Sequence, residues 1–385
     1  MLIPTLVVLA IAQQPAPRFP DFPQQDMVRY DVDLNVDIAA ERLSGHVDYE
    51  IRALAPLESV RLHALRSDSW QPRFLTFADE ELPAKWDDER QIVELELSSP
   101  IETGSSFSFR AVLAGHPVDG FYFKKSRYGE PLAFTDHYSI RARGWLPCED
   151  HPADRAVWNS AITYPTGTEC LGYGRRSEAG ERSTPDGFAT AVFRSEVEIA
   201  PYMYSVVVGP FTHVPEAGDA RLVGHWVYSQ DADEARKVLV HHAEWIAWME
   251  QHFGTYPFTK YATVQCPTRW GGFESPEVVL VSEALYDSER GIGTLAHELV
   301  HMWFGDAVGY ARWREVWLSE GFASYFGPIL WSRTGGPDLA SAMRAMRGRW
   351  LKSFEGRTKS VRDDSFPHPN HHLNANTYPK GAWVL

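Results

Sequence analysis

The sequence predicts an α+β chain of more than one domain, β-rich in its first half and helical in its second. Three observations lead there. From about residue 20 to residue 211 apolar residues alternate with polar ones. After about residue 230 they recur at helical spacing. An apolar helical run at 292–304 then carries two histidines four residues apart. A period of two marks a strand with one buried face, and a period near 3.6 marks a helix with one buried stripe.

The strands follow in order. Val32, Leu34, Val36 and Ile38 alternate with Asp31, Asp33, Asn35 and Asp37. Val47, Tyr49 and Ile51 repeat the pattern, as do Val93, Leu95 and Leu97. Further strand-like runs are 107–113, 188–199 and 202–208, and a turn-rich cluster at 183–187 separates two of them. This half reads as an antiparallel β-sandwich or saddle. Next, Ala235, Val238, Leu239, Trp245, Ile246, Met249 and Phe253 share one helical stripe. Asp231 and Glu234 resemble a capping box at its start, and Gly254 and Pro257 end it. Helical segments continue to about residue 350, without internal repeats or low-complexity tracts. The boundary falls near Phe211, dividing 13–211 from 212–385.

Composition narrows the function. A hydrophobic content of 44% and an aromatic content of 13% suit large packed cores rather than disorder. The net charge of −14, from 37 basic and 51 acidic residues, argues against nucleic acid as a partner, because displacing counterions takes a basic face. Cys148, Cys170 and Cys266 form no metal-binding spacing. They read as buried thiols, with a Cys148–Cys170 bridge open in an oxidising compartment. Residues 2–12 (LIPTLVVLAIA) end in the small-x-small signature Ala10-Ile11-Ala12 and read as a signal segment, 1–12, although the usual basic flank is missing. Eleven residues are too few to span a bilayer, and no later run is long and apolar enough. An exported protein, periplasmic or secreted, is therefore expected, and a cytoplasmic one if the segment is instead a buried strand.

The chemistry centres on His297-Glu298-Leu299-Val300-His301. Histidines at i and i+4 sit one above the other, so both imidazoles can reach a single zinc ion. Glu298, next round the helix, can face a water on that metal without ligating it and take its proton. A catalytic zinc needs a third protein ligand and an open position. Glu320, in Trp317-Leu318-Ser319-Glu320-Gly321, follows His301 after 18 intervening residues, room for a loop and a return helix.

These stretches resemble the aminopeptidase N family of gluzincin zinc metallopeptidases, which includes the leukotriene hydrolases. TLAHELVHMWF (294–304) with WLSEGFASY (317–325) is similar to the family's zinc core. Gly271-Gly272-Phe273-Glu274-Ser275 resembles its Gly-x-Met-Glu-Asn exopeptidase signature, and Tyr378-Pro379-Lys380-Gly381 its tyrosine motif. WLPCED (145–150) and YMYSVVVGPF (202–211) look like landmarks of its β-domain. The resemblance implies an N-terminal β-saddle followed by a thermolysin-like zinc catalytic domain, cut short at its C-terminus, because family members continue through further helices. It implies an aminopeptidase acting on peptides with a free N-terminus. One zinc would be held by His297, His301 and Glu320, with Glu298 as general base, Tyr378 as oxyanion donor and Glu274 on the substrate ammonium. Gly271, Gly272 and Phe273 would line the substrate strand. Tyr138 stands where the family usually has Gln or Glu, so amine anchoring would rest more on Glu274 and the first side chain would meet an aromatic wall. A thermolysin-type endopeptidase, which needs no Glu274, and a catalytically silent scaffold of the same fold stay open; so does the oligomeric state. Pro328 should kink or end the Glu320 helix, and His368, His371 and His372 read as a solvated loop rather than a second metal site.

Overall fold

The structure is a computed structural model that describes residues 21–183, 186–216 and 223–385. The signal segment at 1–12 lies outside the described residues, as do positions 184 and 185 of the turn cluster at 183–187.

In chain order the first strands are β1 (Gln25–Asp37), β2 (Arg42–Ala53), β3 (Leu57–His63), β4 (Arg73–Leu75), β5 (Ala84–Asp87), β6 (Ile92–Ile101) and β7 (Ser106–Gly115). They are followed by β8 (Phe121–Lys125), β9 (Pro131–Thr135), β10 (Val157–Pro165), β11 (Glu169–Gly172), β12 (Arg175–Ser183), β13 (Phe188–Arg194) and β14 (Val206–Gly209). A seven-stranded sheet runs β12-β13-β10-β1-β2-β7-β4, beside a three-stranded sheet β3-β6-β5 and a four-stranded sheet β11-β14-β9-β8. The large sheet is antiparallel except between β1 and β10, which lie parallel; the long excursion between them supplies the crossover that a parallel pair requires.

Alternation sets which face is buried. In β1, Met27 is buried in odd phase, then Tyr30, Val32, Leu34 and Val36 in even phase. The register against β2 shifts between Met27 and Arg29. A bulge of one residue flips every later side chain to the other face, so both phases serve one core. That core holds an aromatic ladder: Tyr30 stacks on Trp158 at 4.0 Å and Trp158 on Tyr204 at 4.5 Å. Tyr49 stacks on Phe109 at 4.6 Å and donates its hydroxyl to the Pro147 carbonyl at 2.9 Å. The WLPCED stretch is thereby pinned to the sheet, helped by the fully buried Arg143–Asp150 pair at 3.0 Å.

A fourth sheet, five-stranded, begins at β15 (Phe211–Pro215) and includes β16 (Val223–Tyr228), β17 (Tyr261–Cys266), β18 (Gly272–Phe273) and β19 (Val279–Ser282). Its order is β15-β16-β17-β19-β18, with β18 at the edge. Strands therefore continue well past Phe211, alternating with helices. The helices are α1 (Ala232–Val238), α2 (His242–Phe253), α3 (Arg290–His301), α4 (Trp317–Arg333), α5 (Leu339–Lys352), α6 (Phe354–Thr358) and α7 (Gly381–Val384). None of the described helices is long and apolar enough to cross a membrane.

Several expected elements differ. The stripe from Ala235 to Phe253 is two helices, because the backbone leaves helical geometry at Leu239 (ψ 66°). Both halves keep their apolar faces on one core, so the stripe does not reveal the break. Asp231 makes no cap bond. Arg127, Tyr128 and Gln265 engage its carboxylate instead, and these charged and buried partners outcompete a helix-end amide. The run at 188–199 ends as a strand at Arg194, and 202–208 opens with a 3-10 turn at Pro201–Met203, where the proline fixes the turn. Helix α4 runs through Pro328 to Arg333; close packing on α3 overrides the lost backbone bond. Cys148, Cys170 and Cys266 are buried free thiols, so the bridge left open does not form. His372 is buried against Phe366 at 5.0 Å rather than solvated, while His371 stays exposed.

Candidate metal centre and substrate site

Helix α3 buries Leu295, Ala296, Leu299 and Val300 against the sheet. That orientation turns His297 and His301 together toward α4, whose first turn carries Glu320. The helices approach closely at Gly327, where a Cβ would lie 3.0 Å from the His297 Cα.

Three donor atoms converge between them. His297 Nε2 lies 3.1 Å from Glu320 Oε2 and 3.1 Å from His301 Nε2, and His301 Nε2 lies 3.4 Å from Glu320 Oε2. Tetrahedral zinc with bonds of about 2.0–2.1 Å sets its ligands about 3.4 Å apart. His301 Nδ1 lies 3.1 Å from the Phe304 carbonyl and 2.9 Å from Ser319 Oγ. A carbonyl only accepts, so Nδ1 carries the proton and the Nε2 lone pair is left for a metal. The surrounding carboxylates draw positive charge to that nitrogen, as a proton or as a metal ion. Burial alone would lower His301, but Glu274, Glu320 and Glu298 around it push it up to about 10. Burial lowers His297, which favours the neutral ligating form. The cluster is short of positive charge, which a divalent cation supplies. The set fits zinc.

Carboxylates of Glu274 and Glu298 and a ring nitrogen of His301 also lie within 4.8 Å of one another. Glu298 is buried, and that burial pushes its carboxyl well up despite the opposing His301. Its room exists because position 272 is glycine: a Cβ there would stand 2.3 Å from Glu298 Oε1. Gly271 is under no such pressure, its nearest neighbour being Thr294 at 3.9 Å. Glu274 follows the edge strand β18, paired antiparallel to β19, and is 7% exposed. Burial raises it to about 7. Tyr378, in a short π-helical stretch at Asn376–Lys380, donates its hydroxyl to Glu320 Oε1 at 2.7 Å and stacks over His297.

Tyr138 sits in an edge-on aromatic cluster with Trp313, Tyr202, Trp270 and Phe273 at 5.7–6.2 Å. Its loop is fixed on both sides: Trp145 donates to His137 at 2.8 Å, and Ser139 Oγ donates to Asn370 at 2.7 Å.

Two supporting residues carry no sequence signal. Asp136, at the end of the four-stranded sheet, accepts from Trp270 Nε1 (3.0 Å), Thr268 Oγ1 (3.1 Å) and Arg269 Nε (3.3 Å). It fixes the segment leading into Gly271. Glu277, in left-handed backbone at φ 65°, accepts from Gly174 N at 2.6 Å and Thr259 N at 2.7 Å. It ties the segment after Glu274 back to the β-domain. An isolated acid in a loop has no periodicity or spacing that could reveal either role.

The Peptidase family M1 domain model matches residues 238–382, and the Peptidase M1 N-terminal domain model matches residues 27–203. The chain belongs to peptidase family M1, the aminopeptidase N family. It is 27% identical over 270 residues to aminopeptidase N of Mus musculus, covering 63% of this chain and 28% of that protein. It is 27% identical over 336 residues to aminopeptidase A of Gloydius brevicauda, covering 80% and 34%. The chain thus spans about a third of these curated relatives. A crystal structure of an M1 zinc metallopeptidase mutant from Deinococcus radiodurans superposes with a TM-score of 0.71 at 23% identity, covering 94% of this chain and 82% of that one. A two-domain M1 zinc metallopeptidase mutant bound to L-tryptophan gives a TM-score of 0.72 at 24% identity, with the same coverage. Both likenesses bear on the fold.

Proposed function

We propose that the protein is a zinc aminopeptidase that hydrolyses the first bond of peptides bearing a free N-terminus. The observation that carries this reading is the buried Glu274 carboxylate, within 4.8 Å of donors of Glu298 and His301 and beside three atoms spaced as zinc ligands. His297, His301 and Glu320 would hold one zinc ion. Zinc, when bound, acidifies water and polarises a carbonyl.

Glu298 accepts the proton of the attacking water and hands it to the departing amine. Glu274 pairs with the substrate ammonium, which fixes the first residue and admits one residue only before the scissile bond. The edge strand β18 offers backbone groups to an extended peptide. Tyr378 is near enough to turn from Glu320 and donate to the carbonyl oxygen as negative charge develops on it. Phe273 and Tyr138 form an apolar wall for the first side chain; a neutral phenol cannot replace a carboxylate against an ammonium. Export, read from residues 1–12, belongs to the same proposal and is tested by N-terminal sequencing of protein recovered from cell fractions.

Chelation tests the metal dependence. Stripping the purified protein should abolish hydrolysis of an aminoacyl amide, and one zinc ion per chain should restore it. Full activity in metal-free protein would contradict the reading.

A further inference from the structure

A cavity of about 510 Å³ opens beside the donor cluster, walled by α3, α4 and α5. It touches the centre through His297 and Tyr378, whereas Glu274 and Glu298 gather on the His301 side. A peptide whose ammonium sits at Glu274 therefore passes the metal and delivers its leaving-side residues into this cavity. Trp331 and Met346 give it apolar surface. Its charged groups are Arg290, two turns before His297 on α3, and Arg349 on α5. No acidic residue lines it among the described residues. Among the described residues neither guanidinium has an ion pair or hydrogen-bond partner. Other arginines of this chain of net charge −14 do pair with carboxylates, as Arg127 does with Asp231 and Arg143 with Asp150. Two unpaired guanidiniums facing one cavity match a planar anion.

Resting on the aminopeptidase reading, we propose that Arg290 and Arg349 form a leaving-side subsite for a carboxylate, so that the protein prefers peptides carrying one just after the scissile bond. That group is either an acidic side chain or the C-terminus of a short peptide. The experiment compares kcat/KM for four substrates, each with leucine first: a neutral tripeptide amide, its free-acid form, and the amides with glutamate or lysine second. The readout is the ratio of each charged substrate to the neutral amide within one protein, which cancels losses from misfolding. Both arginines are exposed, so a preference of about three- to tenfold for at least one carboxylate substrate is expected. The substrate that shows it identifies the source. The double variant Arg290→Gln, Arg349→Gln should bring the ratio to near one, and Arg290→Glu with Arg349→Glu should favour lysine. A wild-type ratio of one, or a preference that survives the double Gln variant, overturns the subsite. Equilibrium binding of the same peptides to zinc-loaded Glu298→Gln protein reads the same ratio without turnover. Absence of hydrolysis would thus sink the aminopeptidase reading, while the binding ratio alone decides the subsite.

Discussion

In the proposed mechanism Glu298 and Glu274 are the same side chain set to different work by a few ångströms of placement. Both are buried, and burial raises both, with the carboxylates around His301 adding to it. Glu298 projects from the ligand helix into the space left by Gly272, beside the metal donors but outside their triangle. In Glu298→Gln, an isosteric amide cannot accept a proton, so hydrolysis should fall by about 10²–10⁴-fold. Zinc content, measured by atomic absorption, should stay that of the wild type, because the ligand atoms are untouched. Zinc lost along with activity would make Glu298 a ligand and the assignment wrong.

Between elements, the decisive contact is α3 against α4, because one helix carries His297 and His301 and the other Glu320. Alanine at 327 would gain about 0.5–1 kcal/mol of helix propensity. It would also press a methyl to 3.0 Å from the His297 Cα, and overpacking of this kind costs about 1–3 kcal/mol. Backbone cannot swing aside as a side chain can, so the contact wins. Gly327→Ala should lower Tm and weaken zinc binding about tenfold in a competition against a chelator. A higher Tm with unchanged affinity would mean the helices are not in tight contact. The same pair explains what could be read in advance. The i, i+4 histidines and the later Glu320 announce themselves by spacing, and the alternation in β1 and β2 by period. Asp136 and Glu277 announce nothing, since each joins its loop to a segment more than a hundred residues away along the chain, Trp270 for Asp136 and Gly174 for Glu277. The break at Leu239 hides inside a continuous apolar stripe, and Pro328 misleads because tertiary packing outweighs one missing backbone bond.

Across the whole molecule, the β-domain holds the segments flanking β18 in place through Asp136 and Glu277, and its own stability carries a pH signature. Glu149 accepts from Phe22 N at 2.9 Å and Gln25 Nε2 at 3.3 Å in a buried pocket beside Asp154. Burial first, then the negative Asp21 and Asp26, push it up to about 8 despite those bonds. The folded state therefore binds a proton that the unfolded chain releases near its ordinary value of about 4.3. This contribution is complete below that value and is lost as pH rises to about 8, by up to roughly 1.4 kcal/mol per pH unit. Melting from pH 5 to 8 should show Glu149→Gln losing less stability than the wild type; parallel curves would refute the buried proton. The central claim is that Glu274 reads a free ammonium group. A charge-assisted bond of this kind contributes roughly 1.5–3 kcal/mol, about ten- to a hundredfold in rate. The most direct measurement is kcat/KM on one peptide in free and N-acetylated forms, for the wild type and Glu274→Ala. The wild type should cleave the free form at least about tenfold faster, and the variant should lose that advantage. Equal cleavage of both forms by the wild type would contradict an aminopeptidase and leave only a zinc peptidase.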